Sequence, residues 1–84
     1  MTTAFAKEHN QDPKNVHVSI FKNNGIYFSG SIKIGATEEG EGGGFLVRKL
    51  DNKWQIDYEG NGAVDCVKIK GLGYTHEVLE GYCD

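Results

Sequence analysis

Two cysteines, Cys66 and Cys83, lie 17 positions apart near the end of an 84-residue chain. A chain this short buries only about 60% of the surface its unfolded form exposes, so a covalent staple has an outsized effect on what it can fold into. The pair admits three readings: a disulfide, two free thiols, or half of a metal site. No C-x-x-C motif is present, which leaves thioredoxin-like chemistry and a zinc knuckle without support. Closing a loop of this length stabilises a fold by about 3 kcal/mol in the chain-entropy treatment. That is a large part of the roughly 5 kcal/mol a small domain holds in total. The disulfide is the expectation carried forward, and with it a periplasmic, cell-surface or secreted location.

The remaining composition fits a single domain over residues 1–84. Four Phe, four Tyr and one Trp supply a small core, too apolar for a disordered chain. Nine Lys and Arg against twelve Asp and Glu leave a formal charge of −3, which argues against a nucleic-acid partner. No apolar run approaches the roughly 18–20 residues of a membrane span. The opening Met1–Glu8 reads as amphipathic and not as a signal peptide, so export implies a targeting segment removed upstream, with room for a lipid anchor there.

Along the chain, residues 2–10 read as a short helix capped by Thr2 or Thr3, ended by Asn10 and Pro13, and docked through Phe5. Residues 16–22 and 25–34 then alternate like strands about the turn signal Asn23-Asn24-Gly25. A three-residue loop with Gly25 in the left-handed region pairs Ile20 with Phe28, Val18 with Gly30 and Val16 with Ile32, which keeps the apolar partners on one face. Residues 35–44 hold five glycines and three glutamates and read as a mobile loop. Residues 45–50 and 53–58 follow as a second hairpin about Asp51-Asn52. A two-residue turn there pairs Val47 with Ile56 and Phe45 with Tyr58. It sets Phe45, Val47, Trp54, Ile56 and Tyr58 on one face and Arg48, Gln55 and Asp57 on the other, with Leu46 and Leu50 partly exposed. Two short helical stretches, 64–70 and 75–80, close the chain, with Thr75 as N-cap of the second and Val67, Ile69, Leu72, Val78 and Leu79 buried. The expected fold is α+β: an N-terminal helix, a four-stranded antiparallel meander, and a short helical tail stapled by Cys66 and Cys83.

The order of Trp54, the turn Glu59-Gly60-Asn61-Gly62, Cys66 and Cys83 resembles small exported bacterial modules of uncharacterised function found at the end of putative lipoproteins. The chain departs from them at Tyr74-Thr75, where those modules carry a proline before the last helix. The resemblance implies an envelope or extracellular setting and an antiparallel sheet, and it implies no catalytic residue.

No residue constellation names a reaction. His9 falls at a helix end, where an imidazolium suits the dipole, while His17 points outward and His76 starts the last helix. Asp65 beside Cys66 raises a thiol pKa, the wrong direction for a nucleophile. Glu38, Glu39 and Glu41 do not follow an EF-hand spacing, and the glycine pairs lack the lysine and hydroxyl of a phosphate loop. Asp57, Glu59 and Asp65 lack the walls and partner of an acid–base pair. No cofactor or metal is therefore expected. The best interaction signal is Phe21 with Tyr27, outward-facing and adjacent across the first hairpin, joined by Ile34 and Leu46 and by the acidic loop at Glu38, Glu39 and Glu41. The expected role is a non-enzymatic exported module that binds a protein or an envelope component. The alternatives are a small inhibitor of a secreted or envelope enzyme, and a metal-dependent activity built on the acids and histidines.

Overall fold

A computed structural model describes residues 1–35 and 41–83 of the chain. Helix α1 (Thr2–Glu8) precedes a 3₁₀ turn at Pro13–Asn15. Strands β1 (Val16–Asn23), β2 (Tyr27–Ile34), β3 (Glu41–Leu50) and β4 (Lys53–Gly60) follow, then helices α2 (Cys66–Gly71) and α3 (His76–Leu79). The strands form one antiparallel sheet in the order β1-β2-β3-β4. The expected α+β meander with a stapled helical tail is the observed fold.

The helix ends have local causes. Met1, and neither threonine, occupies the N-cap of α1. Its other end closes where Asn10 turns left-handed (φ 55°) while the Asn10 and Gln11 amides donate to Lys7 and Ala6, a Schellman arrangement. Asp65 caps α2 by accepting the Lys68 amide at 3.1 Å, and Gly73 (φ 101°) ends it. Thr75 holds the N-cap position of α3 without a side-chain bond.

Both hairpins depart from the expected registers. The first has the three-residue loop and the left-handed Gly25 (φ 95°), but Val16 pairs with Ile34, Val18 with Ile32 and Ile20 with Gly30. The register is displaced by two residues, which preserves the faces. The cause is the turn chemistry. The Asn23 side chain accepts the Gly25 amide, and the Asn24 side chain accepts the amides of Ile26 and Tyr27 at 3.1 and 2.9 Å. These bonds centre the loop on Gly25, and a bulge between Ile20 and Lys22 absorbs the offset.

In the second hairpin Asp51 and Asn52 both take positive φ (49° and 65°), and Val47 pairs with Ile56 as expected. A bulge then intervenes, so Tyr58 faces Leu46 instead of Phe45, and Phe45 faces Glu59. One extra residue reverses the side-chain alternation beyond it. Tyr58 leaves the α1 face and joins the opposite one.

The sheet therefore has two apolar faces, not one. On the first, Phe5 and Ala6 of α1 pack with Val16, Ile32, Phe45 and Val47, and Phe28, Ile34, Trp54 and Ile56 flank them. Phe5 and Phe45 meet at 5.2 Å between centroids, Phe28 and Trp54 at 5.0 Å. On the second, Leu46 packs with Ile69, Tyr74, Val78, Leu79 and Cys83 beneath the stapled tail. Leu46, expected to be partly exposed, is fully buried, and Val67, expected to be buried, is 86% exposed. The tail covers the face opposite Trp54.

The glycine-rich stretch is not all loop. Residues 36–40 lie outside the described residues, but Glu41–Gly44 pair with Ile34, Lys33, Ile32 and Ser31 as the start of β3. Two of these glycines serve close approach. A side chain at Gly43 would meet the Gly60 carbonyl, and one at Gly44 would meet the Tyr82 ring.

Candidate functional site

Four local arrangements hold the chemistry-bearing residues. Cys66, at the start of α2, is joined by a disulfide to Cys83, beyond α3, with a Cα–Cα distance of 5.7 Å. The bridge ties together two helices of six and four residues, lengths too short to persist alone in water. It is compatible with an oxidising compartment.

Beneath this tail, the β4 bulge turns Asp57 toward Arg48, a neighbour that the hairpin alternation also placed on its face. Arg48 donates through Nε and Nη2 to the two carboxylate oxygens at 2.6 and 2.9 Å, and the Tyr74 hydroxyl donates to Asp57 Oδ2 at 2.7 Å. Tyr27 packs against Tyr74 at 4.7 Å and donates its hydroxyl to the Leu72 carbonyl. Burial, then the bond to Asp57, holds the Tyr74 phenol well above its ordinary value, and the bond to Asp57 outweighs burial in raising Arg48 further. Asp57 accepts from both Arg48 and Tyr74, so the network fastens the tail to the sheet.

At the end of the sheet away from the hairpin turns, the side chain of His9 meets both oxygens of Glu59 at 2.5 and 2.6 Å. The pair exists because the β4 bulge moves Glu59 onto the α1 face. With Gln11, Ile32, Ile34 and Asn61 it lines an open groove of about 710 Å³. The Asn61 amide donates to the Gly42 carbonyl at 2.8 Å. No third titratable group joins the His–Glu pair: among the described residues no three His, Cys, Asp or Glu side chains gather as a metal site.

The fourth arrangement is the opposite end of the sheet, where both hairpin turns project. The Lys49 amide donates to the Ile26 carbonyl at 2.8 Å, which holds the turns side by side. Ile26, inside the first turn, is 49% exposed, and Leu50, at the mouth of the second, is 44% exposed. Ile20 lies just behind them, also about half exposed. Lys22, Lys49 and Lys53, all exposed, lie in the strands that flank the two turns. The Lys49 ammonium sits over the Trp54 ring, 5.5 Å from its centroid.

The expected surface patch does not assemble. Phe21 is 62% exposed at the β1 bulge, but Tyr27 is half-buried against Tyr74, Leu46 is fully buried, and Ile34 is on the α1 face. Glu38 and Glu39 lie outside the described residues, and the Glu41 backbone opens β3 opposite Ile34. His17 reaches the Gly35 carbonyl at 3.3 Å, and His76 is exposed in α3. The exposed aliphatic side chains at this end of the sheet are Ile26 and Leu50.

No helix among the described residues is long and apolar enough to cross a membrane. No protein-family model, curated protein or solved structure matches the chain.

Proposed function

We propose that the protein is a non-enzymatic binding module of an oxidising, extracytoplasmic compartment, and that the paired hairpin turns are its contact surface. The observation that carries this reading is the presence of two exposed aliphatic residues, Ile26 and Leu50, and three exposed lysines, Lys22, Lys49 and Lys53, at the two hairpin turns. Exposed apolar side chains scattered singly are ordinary; exposed apolar residues placed at two adjoining turns among predominantly basic side chains are the pattern of an interaction site. The polar clusters elsewhere support the reading because their donors and acceptors are engaged within the fold. The Arg48–Asp57–Tyr74 network is sealed under the tail, and His9 and Glu59 engage each other. The disulfide suits a small domain that keeps its shape where reductants are scarce.

The test places a photoreactive side chain at position 26, and separately at position 62 at the far end of the sheet. Each protein is then illuminated in a detergent-free extract of cell envelope. Adducts at position 26 and none at position 62 support the reading. Equal labelling at both positions, or none at either, refutes it.

A further inference from the structure

We infer that the partner of the hairpin turns is the surface of an anionic lipid bilayer; the inference rests on the reading of the turns as a contact surface. Three observations select this occupant. The first is charge. Lys22, Lys49 and Lys53 against Asp51 give the turn end a net charge of +2 in a chain of −3, leaving −5 on the rest. The turn end thus carries charge of the sign that an anionic plane attracts. The same charge disfavours a second copy meeting this one turn to turn, since lysines would face lysines.

The second observation is the placement of the apolar groups. Ile26 is in the loop itself, and Leu50 immediately precedes the Asp51-Asn52 turn. Both sit at the leading end of the sheet, where shallow entry buries them without moving the core. The lysines stand one strand position or a few behind, at the depth of headgroup phosphates when the aliphatics reach the acyl boundary. The third is Trp54, half-buried against Phe28 beneath the Lys49 ammonium. An indole beside a lysine at the rim of an apolar tip suits the bilayer interface, where amphipathic rings settle.

The chain holds one tryptophan, so its emission reports on this end alone. The oxidised protein is mixed with vesicles of phosphatidylglycerol and phosphatidylcholine in equal parts, and with vesicles of phosphatidylcholine alone, in 50 mM salt. Binding is read by cosedimentation and by Trp54 emission. The expected result is cosedimentation with the anionic vesicles only, a blue shift of Trp54, and release toward 0.5 M salt as the charges are screened. Each of Lys22→Gln and Lys53→Gln weakens partitioning roughly fivefold. Ile26→Ser with Leu50→Ser weakens it on the order of tenfold with an unchanged far-ultraviolet spectrum. No cosedimentation with anionic vesicles, or cosedimentation that these variants leave unchanged, overturns the inference. Poly-glutamate serves as a parallel probe. If it shifts Trp54 emission while the vesicles do not bind, the lipid is wrong and the turns remain a contact surface. If neither probe engages the turns, both readings fall.

Discussion

Breaking the Cys66–Cys83 bridge perturbs the fold in a way whose size can be worked out in advance. The bridge closes a loop of sequence separation 17, and the chain-entropy relation assigns such a closure about 3 kcal/mol. What it restrains is specific. Helices α2 and α3 comprise six and four residues, and they supply most of the layer over Leu46: Ile69, Tyr74, Val78, Leu79 and Cys83. Without the bridge that layer is held by burial and by the Tyr74–Asp57 and Tyr82–Gly30 bonds. The expected outcome of Cys66→Ala with Cys83→Ala is a loss of about 3 kcal/mol, roughly a hundredfold in the unfolding constant. For a urea slope near 1 kcal/mol/M the midpoint falls by about 3 M. Deleting the sulfur of Cys83, which is buried, adds a packing loss, so the reduced wild type is run beside the variant. Urea unfolding should be followed both by Trp54 emission on the α1 face and by near-ultraviolet dichroism of the tyrosines on the other. A loss below about 0.5 kcal/mol in both proteins would refute the reasoning, because the tail would then hold its place without the staple.

Three further outcomes follow from particular residues. Tyr74 and Tyr82 are held above the ordinary tyrosine value by burial first; their folded pKa is raised, so the stability they contribute is whole below about pH 10 and is lost as pH rises beyond it. Stability should therefore fall above pH 10, less steeply in Tyr74→Phe, and a native titration at 295 nm should lag behind one in concentrated urea. Gly44→Ala places a methyl group against the Tyr82 ring and should cost about 1–3 kcal/mol by thermal or urea unfolding, while Gly62→Ala, with nothing nearby, should stay within about 0.5 kcal/mol. The Ser29 hydroxyl is buried without a partner, so Ser29→Ala should be neutral or stabilising by up to about 1 kcal/mol; a loss above that would mean the hydroxyl is bonded in solution.

The strands, the two turns, the helical pieces and the bridge were legible in the sequence because each rests on local signals: alternation, Asn-Asn-Gly, Asp-Asn, and cysteines at a stapling distance. What escaped were the bulges. Alternation states which residues share a face only while the pairing is unbroken, and nothing in Gln55-Ile56-Asp57-Tyr58 announces an extra residue. From that one bulge follow the seating of Tyr58 on the second face and the His9–Glu59 contact, while Leu46 is buried because the stapled tail covers that face. The glycine run misled for a related reason. A glycine that yields space to Tyr82 or to a neighbouring backbone has the same symbol as one that supplies flexibility. At the candidate site, exposed lysines near turns were visible, but that the two turns adjoin depends on the Lys49–Ile26 bond between hairpins, a long-range fact.

Gly30 is touched from both sides of the sheet. The Phe45 ring occupies the space its side chain would take, and from the tail the Tyr82 hydroxyl donates to its carbonyl at 2.5 Å. A single residue thus transmits strain between two layers that share no side chain, much as a rivet through a plate loads both surfaces at once. Gly30→Ala is therefore expected to weaken the helix-covered layer and the stapled layer together, read as one shared loss in urea unfolding followed by Trp54 emission and by tyrosine dichroism.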